Sequence, residues 1–185
     1  MAMKSSNLGM VLLFMAMMMS YCSLQAQGIE YRGYIDTGYS FGAGDRSKPQ
    51  WLLQTVHGMD FIPGHLFVGG GVGVGIAVES GEKAYSLPVF ADVRYTLGDS
   101  KVRPYADIRT GYSFIWDSKH PGGNEGGFYF APSVGVMVPV SSGVAINAGL
   151  CYMLSRAHYS YGHGINRENT DYNAGGMGLM VGVTF

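Results

Sequence analysis

From Ile29 to the C-terminus, apolar residues recur at every second position, and no stretch sustains the 3.6-residue period of a helix. Eight segments stand out: Ile29–Phe41, Trp51–Phe61, Leu66–Val78, Leu87–Leu97, Val102–Trp116, Phe128–Val140, Val144–Leu154 and Ala174–Phe185. Each runs 11 to 15 residues, against about 5 to 6 for an ordinary globular strand. Eleven residues at about 3.3 Å each, tilted by about 40°, rise about 28 Å. That matches the apolar band of a membrane-crossing barrel, so the pattern predicts strands long enough to span a bilayer.

The connections alternate in length. Short links join the second and third strands (Ile62-Pro63-Gly64-His65), the fourth and fifth (Gly98-Asp99-Ser100-Lys101), and the sixth and seventh (Ser141-Ser142-Gly143). Long links fall between them, at Gly42–Gln50, Glu79–Ser86, Asp117–Gly127 and Ser155–Asn173. Short periplasmic turns and longer extracellular loops produce this alternation. The fold expected is all-β: an eight-stranded antiparallel transmembrane β-barrel in up-and-down meander order, with both termini periplasmic.

Alternation alone leaves the direction of each face open, and residue type decides it. In the fourth strand Leu87, Val89, Ala91, Val93, Tyr95 and Leu97 oppose Pro88, Phe90, Asp92, Arg94 and Thr96. In the fifth, Val102, Ala106, Ile108, Tyr112, Phe114 and Trp116 oppose Arg103, Tyr105, Asp107, Arg109 and Ser113. A solvated face would carry Lys and Glu. Here the lysines beyond the N-terminal segment (Lys48, Lys83, Lys101, Lys119) sit in connections or at a strand edge, and the cations within strands are Arg. Arg suits desolvated carboxylate pairing. The polar face is therefore expected inside, as an ion-pair network of Glu30, Arg32, Asp36, Asp92, Arg94, Arg103, Asp107 and Arg109. Gly69, Gly71, Gly73 and Gly75 share one face of the third strand, which leaves room inside for long Arg and Tyr side chains. Eight strands enclose only enough space for side chains, so no wide pore is expected. Aromatics gather toward the strand ends, as the two interfacial girdles of such barrels do: Phe41, Trp51, Phe114, Trp116 and Phe128 at one end, Phe61, Tyr95 and Phe185 at the other.

Composition adds to this picture. Charged residues make up 14% of the 185, and there are 29 glycines and 13 tyrosines, against about 25% charged in soluble domains; much of the exterior is thus expected out of water. The net charge of -1 offers no basic footprint for nucleic acid. Lys4, the apolar run Met10–Met19 and Leu24-Gln25-Ala26 before Gln27 read as a secretory signal peptide over residues 1–26, with the barrel over 27–185. The apolar run is about half the length of a membrane-spanning helix. Once the signal is removed, Cys151 is the only cysteine, so no internal disulfide is expected. The histidines show no metal-ligand spacing, and neither metal nor cofactor is expected; His57 and His65 read as pore- or turn-facing structural residues.

The last segment, Met177-Gly178-Leu179-Met180-Val181-Gly182-Val183-Thr184-Phe185, alternates and ends on an aromatic residue. It resembles the terminal signal by which outer-membrane barrels are recognised by the barrel assembly machinery. With the signal peptide and eight strands, the chain resembles the small outer-membrane barrels that include OmpX-like proteins and the OmpA barrel, in the form found in Bacteroidota. The resemblance implies residence in the bacterial outer membrane, in contact with its lipids and lipopolysaccharide. One constellation carries candidate chemistry: His158-Tyr159-Ser160, with Glu168 or Asp171 as carboxylates to orient the imidazole. It resembles the motif of the PagL lipid A deacylases, in which Asn follows the Ser; here Tyr161 does, and the spacing to the acidic residue differs.

A filled interior and modest loops point first to a structural, membrane-stabilising barrel. The alternatives are an adhesin or ligand-binding barrel, using the Tyr- and Gly-rich stretch His158–Asn173 toward an extracellular ligand, and a PagL-like lipid A deacylase using His158, Ser160 and Glu168. In a non-enzymatic reading, Arg156 at the loop base reaches lipid phosphate.

Overall fold

The computed structural model describes the backbone of residues 29–43, 49–79, 82–117, 125–161 and 168–185, and side chains at 29–42, 49–77, 84–116, 126–155 and 175–185. The proposed signal peptide lies outside the described residues. Eight strands follow in chain order: β1 (Glu30–Ala43), β2 (Gln50–Ile62), β3 (Leu66–Glu79), β4 (Glu82–Thr96), β5 (Arg103–Asp117), β6 (Glu125–Ser141), β7 (Val144–Tyr161) and β8 (Glu168–Thr184). Each is antiparallel to its sequence neighbour, and β8 returns to β1 to close the barrel. Closure runs from Tyr34↔Thr184 to Ala43↔Gly175, leaving no free sheet edge between β1 and β8. The start of β1 and the end of β8 lie with the short turns: Gly33 and Phe185 exchange N–H···O bonds of 2.7 and 2.9 Å.

The strands outrun the apolar pattern at the long-link end. β4 begins at Glu82 rather than Leu87, β7 continues to Tyr161 rather than Leu154, and β8 starts at Glu168 rather than Ala174. The expected connection Ser155–Asn173 is thereby largely strand, paired from Ser155↔Ala174 to Tyr161↔Glu168. Apolar alternation marks only the part of a strand that has an apolar face. Backbone pairing continues past it, because every peptide group still needs a partner. The short links remain tight. The β6–β7 turn is Ser142-Gly143, and Gly143 takes φ of +80°, as a two-residue hairpin requires.

Burial alternates along each strand, with the polar set inside. On β5, Tyr105, Asp107, Arg109 and Ser113 are buried, while Ala106, Ile108 and Thr110 between them are exposed. The outer wall carries Ile35, Leu53, Val72, Val93, Ile108, Val134, Leu150 and Leu179 in the open. The glycine face of β3 is lined differently from expectation. A Cβ at Gly69 or Gly71 would run into the rings of Phe67 and Phe90, and one at Gly73 or Gly75 into Gln54, Leu52 or Ser86. The space made by glycine is filled mainly by aromatic rings and neutral polar groups rather than by Arg and Tyr.

Candidate functional site

The inward residues converge on two guanidiniums. Arg94 on β4 stands opposite Asp107 on β5 in the register, and its Nε and Nη2 donate to Asp107 Oδ2 at 3.1 and 2.7 Å. Its guanidinium carbon lies 4.0 Å from the Tyr34 ring centre and 4.3 Å from that of Tyr105, a cation held between two aromatic faces. Arg109 stands opposite Asp92 but reaches across the interior instead. Its Nη2 donates to Asp36 Oδ2 on β1 at 2.5 Å, and its Nη1 to Gln54 Oε1 on β2 at 2.5 Å. Asp92 is left 3.7 Å from Arg109 Nε.

Neutral groups complete the cluster. Gln54 donates to the Tyr129 hydroxyl at 3.0 Å, Ser133 to Asp107 Oδ1 at 2.6 Å, and Asn147 to Asp36 Oδ1 at 2.7 Å. Thr184 donates to Asn147 Oδ1 at 3.4 Å. Every strand except β3 thus supplies a side chain, and β3 contributes the glycines that make room. Above and below the ions pack Tyr34 against Phe67 and Phe90 against Tyr129, with ring centres 4.7 and 5.6 Å apart. The cavity bounded by Asp107, Arg109, Tyr129, Ser133, Cys151 and Met180 has no room for a water molecule. Chemically this is a plug: an ionic and aromatic cross-brace.

Of the eight charged residues expected inside, Asp36, Asp92, Arg94, Asp107 and Arg109 come together here. Arg32 forms a separate pair with buried Asp60 at 2.8 Å, and Asp60 Oδ2 also accepts the Gly64 N–H at 3.1 Å in the first short turn. Glu30 is exposed, and Arg103 donates through Nε to the Ser100 carbonyl at 3.3 Å. Both begin their strands at the rim, where water reaches them. Sequence reasoning missed Gln54, Asp60 and Asn147. Their parity was available, since each alternates with outward apolar residues such as Leu53 and Ile146.

His57 is not pore-facing. It shares the outer parity of Trp51, Leu53 and Thr55, and its Nδ1 and Nε2 lie 2.5 Å from the Tyr31 hydroxyl and 2.9 Å from the Thr55 hydroxyl. Its ring meets that of Phe185 edge-on at 6.2 Å. His65 lies in the first short turn, with Nδ1 3.0 Å from the Thr96 carbonyl. Cys151 is buried with a free thiol. Among the described residues no group of three His, Cys, Asp or Glu side chains is placed to hold a metal ion.

The side chains of His158, Ser160, Glu168 and Asp171 lie outside the described residues. The backbone register is defined: His158 is opposite Asp171, Ser160 opposite Asn169, and Glu168 opposite Tyr161.

This geometry defines a closed eight-stranded up-and-down barrel with a polar, filled interior and an apolar outer wall. No protein-family model matches the sequence, and no curated protein matches it. Among solved structures, the chain is similar to Neisserial surface protein A, with a TM-score of 0.65 and 17% identity over 85% of this chain and 98% of that one. It is also similar to the N-terminal β-barrel domain of Pseudomonas aeruginosa OprF, with a TM-score of 0.50 and 13% identity over 83% and 97% of the two chains. The outer membrane enzyme PagL is similar too, with a TM-score of 0.50 and 11% identity over 80% and 97%. At these identities the likeness shows the fold alone, that of the small outer-membrane barrels, and fold does not fix function.

Proposed function

We propose that this chain is an integral protein of the bacterial outer membrane whose barrel stabilises the membrane as a closed structural element, with both termini on the periplasmic side. The observation that carries this is the interior. Arg94, Asp107, Asp36 and Arg109 are at most 3% exposed and bridge β1, β4 and β5 across the lumen. A lumen so crossed supports a filled barrel over an open pore. The outer wall supports the location, because a row of exposed Ile, Val and Leu suits lipid and not water. Its partners are then outer-membrane lipid and lipopolysaccharide, with the assembly machinery engaging β8 and the Phe185 that follows it. The test is a planar-bilayer recording of the refolded chain, with an envelope-leakage assay on cells lacking it. A silent bilayer and a leaky envelope restored by the gene are expected; regular conductance steps, or an envelope indifferent to the loss, would reject the reading.

A second reading rests on the long β7–β8 hairpin. Its pairing runs seven residue pairs from Ser155↔Ala174 to Tyr161↔Glu168, forming a ribbon available to an extracellular ligand or a lipid. As an adhesin, cells would lose adherence when 157–172 are deleted. As a lipid A deacylase, they would lose an acyl-chain mass difference on Ser160→Ala. The register then favours Asp171 over Glu168 as the orienting carboxylate, since Asp171 is the one opposite His158.

A further inference from the structure

The buried cluster holds three carboxylates, Asp36, Asp92 and Asp107, and two guanidiniums, Arg94 and Arg109. Beneath it Arg32 and Asp60 neutralise each other. Among the described inward residues, therefore, one negative charge is in excess. The other titratable groups buried inside are Tyr34 on β1, Tyr105 on β5, Tyr129 on β6 and Cys151 on β7, and none adds a cation; Glu30 and Arg103, of inward parity at the rim, offset each other in charge. An uncompensated charge in so dry a place is among the most expensive things a fold can contain.

The excess falls on one residue. Both oxygens of Asp36 are engaged, by Asn147 and by Arg109, and both of Asp107, by Ser133 and by Arg94. Asp92 is completely buried, neither of its oxygens has a hydrogen-bond donor, and its nearest cation is 3.7 Å away at Arg109 Nε, itself without an acceptor. The carboxylates are not grouped to chelate a metal together, so what is missing at Asp92 is a single positive charge on a single carboxylate. We propose that Asp92 is the seat of one monovalent cation, a hydrogen ion or an alkali-metal ion, that neutralises the interior of the barrel.

The site gives Asp92 a signature that its neighbours lack. Asp92→Asn keeps the shape and removes the charge, so it dispenses with the cation; Ser133→Ala takes a neutral donor from Asp107 and leaves the charge unchanged. The experiment is urea unfolding of the full chain refolded in zwitterionic detergent, across pH and with sodium, potassium or choline chloride at fixed ionic strength. If a hydrogen ion is held, the folded state binds a proton that the unfolded state releases at neutral pH, so the wild-type midpoint falls as pH rises. If an alkali ion is held, the midpoint rises with sodium or potassium over choline. In either case Asp92→Asn is at least as stable as wild type and loses that response, while Ser133→Ala, which leaves the charge count unchanged, is destabilised and keeps it. The same response in wild type and Asp92→Asn overturns the proposal. A second readout needs no variant, namely the carboxyl carbon resonance of Asp92 in labelled wild type. A neutral-acid position supports the hydrogen ion, and a carboxylate position that moves with sodium or potassium supports the alkali ion. A carboxylate position indifferent to pH and to alkali overturns both.

Discussion

Val93 and Arg94 are chain neighbours that live in opposite solvents. Val93 is 47% exposed on the outer wall; Arg94 is 1% exposed and held by Asp107 between two tyrosine rings. The same contrast separates Ile108 from Asp107 and Arg109 on the facing strand. A soluble barrel turns these faces the other way. The two faces also obey different rules. Outside, an apolar side chain of almost any shape will do, because lipid adapts to it. Inside, each group is fixed by a named partner on another strand, and specificity lies there. The interior should therefore be intolerant and strongly coupled, and the exterior tolerant of everything except charge.

Removing one guanidinium is the severest way to try that contrast. Arg94→Ala leaves Asp107 with Ser133 as its remaining hydrogen-bond donor and Arg109 3.5 Å away, and Arg109→Ala takes the donor from Gln54 Oε1 and leaves Asp36 only Arg94, 3.7 Å away, as a cation. Each change is expected to cost about 3–5 kcal/mol, the penalty of a stranded buried partner. Urea unfolding in detergent or lipid vesicles measures it, and a loss below about 1 kcal/mol would mean that water or another group replaces the partner freely. A double-mutant cycle of Arg94→Ala with Asp107→Ala sharpens the result, with an expected coupling in the range of about 0.5–3 kcal/mol. Additive losses would show that the two side chains merely fill space.

The outer wall breaks in a different way. Val93→Arg puts a charge among lipid-facing residues toward the short-turn end of β4, and destabilisation of up to about 2–4 kcal/mol, the cost of a midplane charge, is expected in bilayers, less the nearer the site lies to an interface. Val93→Leu should be nearly silent in the same vesicles. Should the arginine variant be as stable as wild type while the leucine variant is not, the inside-outside assignment of β4 would be reversed.

Strand centres were legible because side-chain parity is a local property. Arg94, Asp107 and Arg109 could be set on the inner face from the residues around them. Which acid each arginine takes could not. Arg109 lies opposite Asp92 on the neighbouring strand yet bonds Asp36, 73 residues away in sequence. That choice depends on barrel closure and on reach across the lumen, which no local pattern encodes. Strand ends were misjudged for a related reason. The segments around Ser86 and Asn173 lack apolar alternation but still pair through their backbones. Glu30 and Arg103 have the inward parity and sit too near the rim to be buried. With His57, parity pointed outward and residue type suggested the lumen; parity was the better guide, because two hydroxyls meet the imidazole's polar needs on the outer face.

The smallest expected effect tests whether the contrast ends where the strands do. Gly143, in the β6–β7 turn, belongs to neither face: a Cβ there would meet nothing within 4 Å, so only its φ of +80° opposes substitution. Gly143→Ala is therefore expected to cost about 1 kcal/mol, the ordinary penalty for a left-handed residue with a Cβ. Gly143→Asn should cost less, because asparagine tolerates that region. Gly71 makes the opposite case, since its added Cβ would strike the Phe90 ring and the Thr55 carbonyl. Gly71→Ala should cost more than Gly143→Ala although its backbone is ordinary strand. Equal losses at the two glycines in matched urea titrations would mean that the packed wall of β3 yields as easily as an open turn, and the interior would then be far softer than its contacts imply.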